Sequence, residues 1–315
     1  MTKGFITLAT GSERYFELAV NLLKSYRLFS DDPLPFAILA DRNNKFTEQF
    51  DEVIILENAK SSYMDKLSIL INCPYDETIF IDADCLAYQD LNQYWEIYDF
   101  AHTISCFGFA GPLNYRDGWF YKEDIGKYGK LIKFIPSMHG GCYFIKKSAQ
   151  CQEIYELALE INNNYSSYKF KYFDSPADEP ILALCMAIFD CRPIAETGQE
   201  IVFYPAVKNF KANIFHGFNS FKKKDKIIKN AWLVHWQNNF TKRAIYKLEV
   251  DKLNLLFDKV SKFNLQHNQS TNKINLFLQS KIKLNMLFYK NVDFLYDLNI
   301  LFKTQIMSIL KKYRS

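Results

Sequence analysis

The first ninety residues alternate short apolar runs with amphipathic segments, and that alternation restricts the fold more than any other feature of the chain. "GFITLAT" (4 to 10), "PFAILAD" (35 to 41), "EVIIL" (52 to 56) and "TIFIDAD" (78 to 84) are apolar runs bounded by charge or turn residues, as buried strands are. Between the first two, "YFELAVNLLKSYRLF" (15 to 29) sets Phe16, Ala19, Val20 and Leu23 at the spacing of one helical face. "SSYMDKLSILINC" (61 to 73) reads as a second helix ahead of the fourth run. Strands alternating with helices predict an α/β fold, a mostly parallel sheet with helices on both faces. Such sheets bind ligands outside the carboxyl ends of their strands. Thr10, Asp41 and the pair Asp82 and Asp84 all fall at such ends.

Beyond residue 100 the pattern is less regular. "GFAGPLNYRDGWFYKEDIGKYGK" (108 to 130) is rich in Gly, aromatics and charge and reads as a long loop or hairpin region. A strand at "HGGCYFIKKS" (139 to 148), a helix over 149 to 164, a helix in "PADEPILALCMAIF" (176 to 189) and a strand at "AWLVHW" (231 to 236) follow. Pro180 suits the first turn of its helix. From about Tyr246 the pattern is helical, with a polar break at "QHNQSTNK" (266 to 273). The expected division is a catalytic domain over 1 to 245 and a helical basic and aromatic extension over 246 to 315.

With 315 residues, 49% of them hydrophobic, the chain can bury one large core or two, and a formal net charge of +4 is too small to argue for a nucleic-acid groove. The charge is uneven. From Lys281 to Ser315 there are seven Lys or Arg against two Asp, a net +5, so the remainder sums to about −1. Seven scattered cysteines with no C-x-x-C pair suggest neither a disulfide framework nor a structural zinc site, and a reducing cytoplasm fits best. The apolar stretch at the N-terminus is too short for a signal peptide, and no run of about 18 uncharged apolar residues is present.

Asp82 and Asp84 stand one residue apart at the end of an apolar strand. Alternation would point both the same way, but a strand end is where the chain turns, so the pair can instead converge on one ion. Carboxylates suit hard divalent ions such as Mg²⁺ or Mn²⁺, whose remaining positions phosphate oxygens and water can fill. Two acids on a surface loop, one capping a helix at 90 to 98, are the competing explanation.

"FIDADCLAYQDL" (80 to 91) resembles the D-x-D segment of GT-A-fold glycosyltransferases, especially those of glycosyltransferase family 8. "FITLATGSERYFELAVNLLKSYR", "MDKLSIL", "HGGCYFIKKS", "ADEPILA" and "LVHW" are similar to further segments of that family and occur in its order, across roughly residues 4 to 240. The resemblance implies a GT-A fold, a Rossmann-like mixed sheet flanked by helices, and transfer of a sugar from a nucleoside diphosphate sugar with UDP the expected nucleotide. It implies that Asp82 and Asp84, around Ala83, reach the metal and the donor, and that His235 adds a nitrogen ligand, which tilts the expected ion toward Mn²⁺. Thr7, Leu8, Ala9 and Thr10, with Tyr15, would form the nucleotide-base end, and Lys66 would neutralise the diphosphate. Gly140 and Gly141 would let a sugar ring lie against the backbone. Asp178 or Glu179 would act at the reacting sugar.

Each assignment has a plain structural rival: a core histidine beside Trp236, an ordinary strand turn, a solvated lysine, a ligand-free bulge, and acids favoured at a helix start. His139, just before the glycines, reads as a satisfied surface histidine. Family 8 enzymes retain anomeric configuration, though one acid pair at a helix start serves inversion equally. Similar enzymes of bacterial surface polysaccharide or lipooligosaccharide synthesis have basic aromatic tails that dock on the inner membrane. That implies a cytoplasmic protein, peripheral on the membrane, with a glycan or lipid-linked acceptor; the tail packing on the domain or on a second subunit stays open. "IFIDADCL" also resembles the nucleophile strand of haloacid-dehalogenase-like phosphatases, but the adjacent acids Asp31 and Asp32 lie upstream of it. Nucleotidyltransferases want a glycine-rich basic loop that "LATGSERY" supplies poorly. A non-catalytic glycan-binding module on the same fold is the remaining alternative.

Overall fold

All four N-terminal apolar runs form strands of one sheet. The structure, a computed structural model, describes residues 1–98 and 102–263. In chain order come β1 (Lys3–Ala9), α1 (Glu13–Phe29), β2 (Phe36–Ala40), β3 (Glu52–Ile55), α2 (Ile69–Asn72), β4 (Glu77–Ile81), β5 (Cys85–Ala87) and α3 (Tyr94–Ile97). Then follow β6 (Ile104–Gly111), β7 (Ile135–Lys146), α4 (Ala149–Asn163), α5 (Asp178–Ile188), β8 (Ile201–Phe203), β9 (Lys208–Asn213), β10 (Phe218–Lys223), β11 (Lys226–Lys229), β12 (Leu233–His235) and α6 (Ala244–Phe263).

The large sheet has the order β3-β2-β1-β4-β7-β6, with β1 to β4 mutually parallel and β7 antiparallel to both of its neighbours. β2 and β4 are buried at every position, which is why β2 is apolar throughout and β4 carries the unbroken apolar run Ile79–Ile81 rather than an alternating pattern. Alternate residues of β1 feed two cores. Phe5 and Ala9 join the one under α1, and Ile6 joins the one under α4 and α5. The chain leaves β1 toward β2 on one side while β4 lies on the other. A crevice therefore opens at the carboxyl ends of β1 and β4, the place where such sheets bind ligands.

α1 starts where Ser12 accepts a hydrogen bond from the Arg14 amide, with Glu13 in its first turn and Arg27 in its last, both favourable to the helix dipole. The helix expected over 61 to 73 is different: residues Tyr63–Ser68 form tight 3₁₀ turns and only Ile69–Asn72 is α-helical. Asp65 explains the tightening, because its carboxylate folds back to accept from the amides of Lys60 and Ser62 and the hydroxyl of Thr10. The region expected as loop from 108 begins inside β6, which runs to Gly111, and ends in a kinked 3₁₀ stretch at Lys122–Lys130.

Two small sheets complete the described chain. β5, β12 and β8 form one, with β12 antiparallel to β5 and parallel to β8; β9, β10 and β11 form an antiparallel meander. α6 packs along α1 through buried Tyr246 and Leu253 and a hydrogen bond from Lys24 to Asn254. Its buried Glu249 accepts from the Tyr88 hydroxyl and the Ile214 amide and pairs with Lys252 at 2.5 Å. The basic tail beyond residue 263 lies outside the described residues. No helix among the described residues is long and apolar enough to cross a membrane.

Candidate metal centre

The acidic pair sits in the turn that carries the chain from the large sheet into the small one. β4 ends at Ile81, the Cys85 amide donates to the Asp82 carbonyl at 3.1 Å, and β5 begins at once. This turn breaks the strand alternation and brings both carboxylates to one side. β12 then lies against β5 with His235 opposite Cys85, and the Trp236 amide donates to the Asp84 carbonyl at 3.0 Å. His235 is thereby delivered from about 150 residues downstream. Its Nε2 stands 3.1 Å from Asp84 Oδ1 and 3.7 Å from Asp82 Oδ2. One ligand atom from each of Asp82, Asp84 and His235 lies within 4.8 Å of the others.

Two oxygens and one nitrogen at that spacing fit a hard or borderline divalent ion with positions left for phosphate and water. The rest of the imidazole is fixed by packing rather than by a hydrogen bond. Nδ1 is buried with no partner among the described residues, while the ring meets Phe203 and His139 at 5.3 Å each and the backbone at Gly141.

Lys66 closes the other side. Its ammonium is 2.9 Å from Asp82 Oδ1 and 3.2 Å from Asp178 Oδ2, and its side chain is only 14% exposed, so it is no solvated helix-face lysine. Burial works against that charge, yet Asp178 and Asp82 outweigh it and hold the lysine pKa well above its usual value. Burial raises Asp82 despite Lys66 and His235. Burial also pushes Asp84 up, but the charge and hydrogen bond of His235, with Lys66, hold its carboxyl below the usual range. His235 rises: burial opposes its protonated form, and Asp84 and Asp82 prevail.

Asp178 is the first residue of α5, whose N-cap, Ala177, offers no side-chain cap. Its carboxylate serves Lys66 instead of the helix end. Glu179 accepts from the Gly140 amide at 2.7 Å, and burial followed by Asp178 pushes its carboxyl up to about 7. The glycines are explained by these neighbours. A Cβ at Gly140 would stand 2.3 Å from Glu179 Cγ, and one at Gly141 would stand 2.6 Å from His235 Nδ1. Their lack of side chains admits Glu179 and His235 to the site.

The residues expected around a nucleotide base divide. Thr7 and Ala9 are buried within the sheet and Leu8 is half-buried; Thr10, just past the strand end, is buried with its hydroxyl donating to Asp65, and Tyr15 is half-buried on the first turn of α1. Tyr15 accepts from the Asn238 amide group at 2.7 Å, and Arg14 donates to the Asn238 carbonyl and the Thr241 hydroxyl. Gly11, at φ +75°, gives its amide to Asp41 at 2.7 Å, and Arg42 donates to the Gly11 carbonyl. Arg14 and Asn238 carried no signal in the sequence, because their proximity depends on β12 returning beside α1.

His139 overturns its expectation as a satisfied surface residue. Burial, then the neighbouring His235, lowers its pKa to about 3. Nδ1 accepts from the Gly141 amide at 3.2 Å, and Nε2 is buried without a partner among the described residues.

No protein-family model matches the sequence, and no curated protein matches it. Similar solved structures include three sugar transferases. The glycosyltransferase GlyE of Streptococcus pneumoniae TIGR4 is 12% identical over 63% of this chain and 46% of its own, at a TM-score of 0.42, so this chain spans under half of that protein. The galactosyltransferase LgtC, in complex with donor and acceptor sugar analogs, is 11% identical over 81% of this chain and 95% of its own, at a TM-score of 0.48. Mouse xyloside xylosyltransferase 1 is 9% identical over 76% and 99%, at 0.46. The functional reading below rests on the site's own geometry.

Proposed function

We propose that this chain is a metal-dependent GT-A glycosyltransferase, akin to family 8, that moves a sugar from a nucleoside diphosphate sugar, UDP foremost, to a glycan or glycolipid acceptor. One observation carries the reading: Asp82, Asp84 and His235 converge, beside the buried ammonium of Lys66, at the carboxyl-end crevice of a mostly parallel sheet. Asp82, Asp84 and His235 would hold the ion, with Mn²⁺ favoured by the imidazole. A divalent ion there offsets the negative charge that gathers on the leaving diphosphate.

The chain's own residues do the remaining work. Lys66, kept protonated by Asp82 and Asp178, presents a second positive charge to the diphosphate. Thr10 and Tyr15 face the nucleoside end. Asp178 and Glu179, on the first turn of α5, orient the donor sugar through its hydroxyls, with the glycine pair keeping the backbone close. Glu179, whose carboxyl titrates near neutrality, can hold or take a proton at that position. The resemblance to family 8 favours retention of anomeric configuration over inversion. The basic aromatic tail from Lys281 is read as a surface for an anionic inner-membrane leaflet, near a lipid-linked acceptor of polysaccharide or lipooligosaccharide synthesis.

The test is hydrolysis of a UDP-sugar panel by the full chain with Mn²⁺. Turnover of at least one sugar that stops on adding EDTA and returns with excess Mn²⁺ supports the assignment. Turnover indifferent to EDTA, or none with any nucleotide sugar, overturns it.

A further inference from the structure

A cleft of about 380 Å³ opens between β6, β7 and β8, immediately beside the metal centre. Its volume is in the range of small-molecule sites. Phe109, Tyr115, Met138 and Phe203 give it apolar walls, and Phe109, 52% exposed, leaves its ring open to a ligand. His139 and Phe203 line the cleft while their other sides meet the His235 ring, so a molecule seated here lies one ring's thickness from the metal ligand.

Two features select the kind of molecule. First, the Gly141 amide donates to His139 Nδ1, which places the imidazole proton on Nε2. Among the described residues that N–H has no hydrogen-bond partner, and an orphaned donor on a residue that lines a cleft calls for an acceptor atom from a ligand. Second, the charged side chains of the lining, Glu196 and Lys223, neutralise each other in an ion pair at 2.9 Å, so the lining carries no net charge to hold an anion. An apolar, aromatic wall with a single committed donor suits a sugar ring, whose C–H face stacks on apolar surface while its hydroxyl oxygens accept.

We infer that this cleft seats the acceptor, specifically the uncharged terminal sugar of a glycan, with one hydroxyl oxygen accepting from His139 Nε2–H and the ring packed among Tyr115, Phe109 and Phe203. The inference rests on the glycosyltransferase reading for the word acceptor, but the binding it asserts requires neither donor nor metal.

The experiment is therefore a binding measurement in EDTA: saturation-transfer NMR of the full chain with a panel of neutral methyl hexosides (galacto, gluco, manno and N-acetylhexosamine forms) and the methyl glucuronide. At least one neutral glycoside is expected to bind, and the glucuronide at least fivefold more weakly. His139→Ala should weaken the neutral ligand at least fivefold. Ala206→Trp fills the mouth from an exposed position that folding tolerates and should abolish the signal. Circular dichroism melts confirm that each variant is folded, and Ala206→Trp decides the matter if His139→Ala is not. Glucuronide binding as tight as that of the neutral sugars, unaltered binding in Ala206→Trp, or no binding by any neutral glycoside overturns the inference. The last result alongside EDTA-sensitive UDP-sugar hydrolysis would fault the cleft alone. Sugar binding without such hydrolysis would fault the enzymatic reading and leave the cleft standing.

Discussion

Gly141→Ala isolates the packing that holds the histidine of the candidate metal centre. Gly141 is not at positive φ, so alanine brings no backbone strain and the whole effect comes from one methyl group. That methyl would stand 2.6 Å from His235 Nδ1 and 3.1 Å from Cε1 of both His235 and His139. Reaching ordinary contact, at about 3.5 Å, takes a displacement of about 1 Å. The imidazole has little room for it, because Phe203 and His139 each meet the ring at 5.3 Å and β12 is paired on both edges. Metal–ligand distances tolerate only about 0.2 Å, so the nitrogen is lost as a good ligand. Affinity for Mn²⁺ should fall about 10- to 100-fold, which is roughly 1.4–2.7 kcal/mol, while overpacking lowers folding stability by about 1–3 kcal/mol. Calorimetric titration of Mn²⁺ into parent and variant, with urea unfolding in EDTA alongside, measures both. Gly140→Ala is the internal control, since its methyl meets Glu179 and not a ligand. If the Gly141→Ala and parent isotherms overlay, the packing argument fails.

Three further outcomes follow from the same geometry. Asp84→Asn should remove metal-dependent turnover by at least about 100-fold while leaving the thermal melt within a few degrees of parent; retained metal-dependent activity refutes the ligand role. His235→Ala should weaken activation by Mn²⁺ more than by Mg²⁺, and overlapping metal titrations of variant and parent would make the histidine purely structural. The folded-state pKa of Glu179 is raised to about 7, so the folded chain binds the extra proton between the unfolded value and 7, and stability falls as pH rises through that window. Because the side chain is partly exposed, the loss between pH 5 and pH 8 is about 1–3 kcal/mol. Glu179→Gln, measured by urea unfolding in EDTA, should flatten that slope; parallel pH profiles would contradict it.

The strand and helix order was readable because β2 is apolar throughout, β1 and β4 carry the apolar runs Phe5–Ile6 and Ile79–Ile81, and α1 carries its own cap, all local signals. Asp82 and Asp84 were readable because acids at the end of an apolar strand are costly without a purpose. What escaped depended on distant parts of the chain. His139 is half-buried against Phe203, from β8, and His235, from β12, and nothing in "MHGGC" announces those neighbours. Lys66 could not be told from a surface lysine until α5 brought Asp178 to it. The 61 to 73 segment misled because its capping box and apolar spacing are those of a helix, whereas the Asp65 carboxylate is pulled back by Thr10 across 55 residues of sequence.

Because the acidic turn is the joint between two sheets, a cation there would act as a rivet. Two ligands hang from the end of β4 and the third from β12, so loading the ion fastens one layer to the other as well as preparing chemistry. Occupancy and rigidity become one equilibrium: at a hundredfold excess over the dissociation constant, metal would add about 2.7 kcal/mol to the stability of the joined layers.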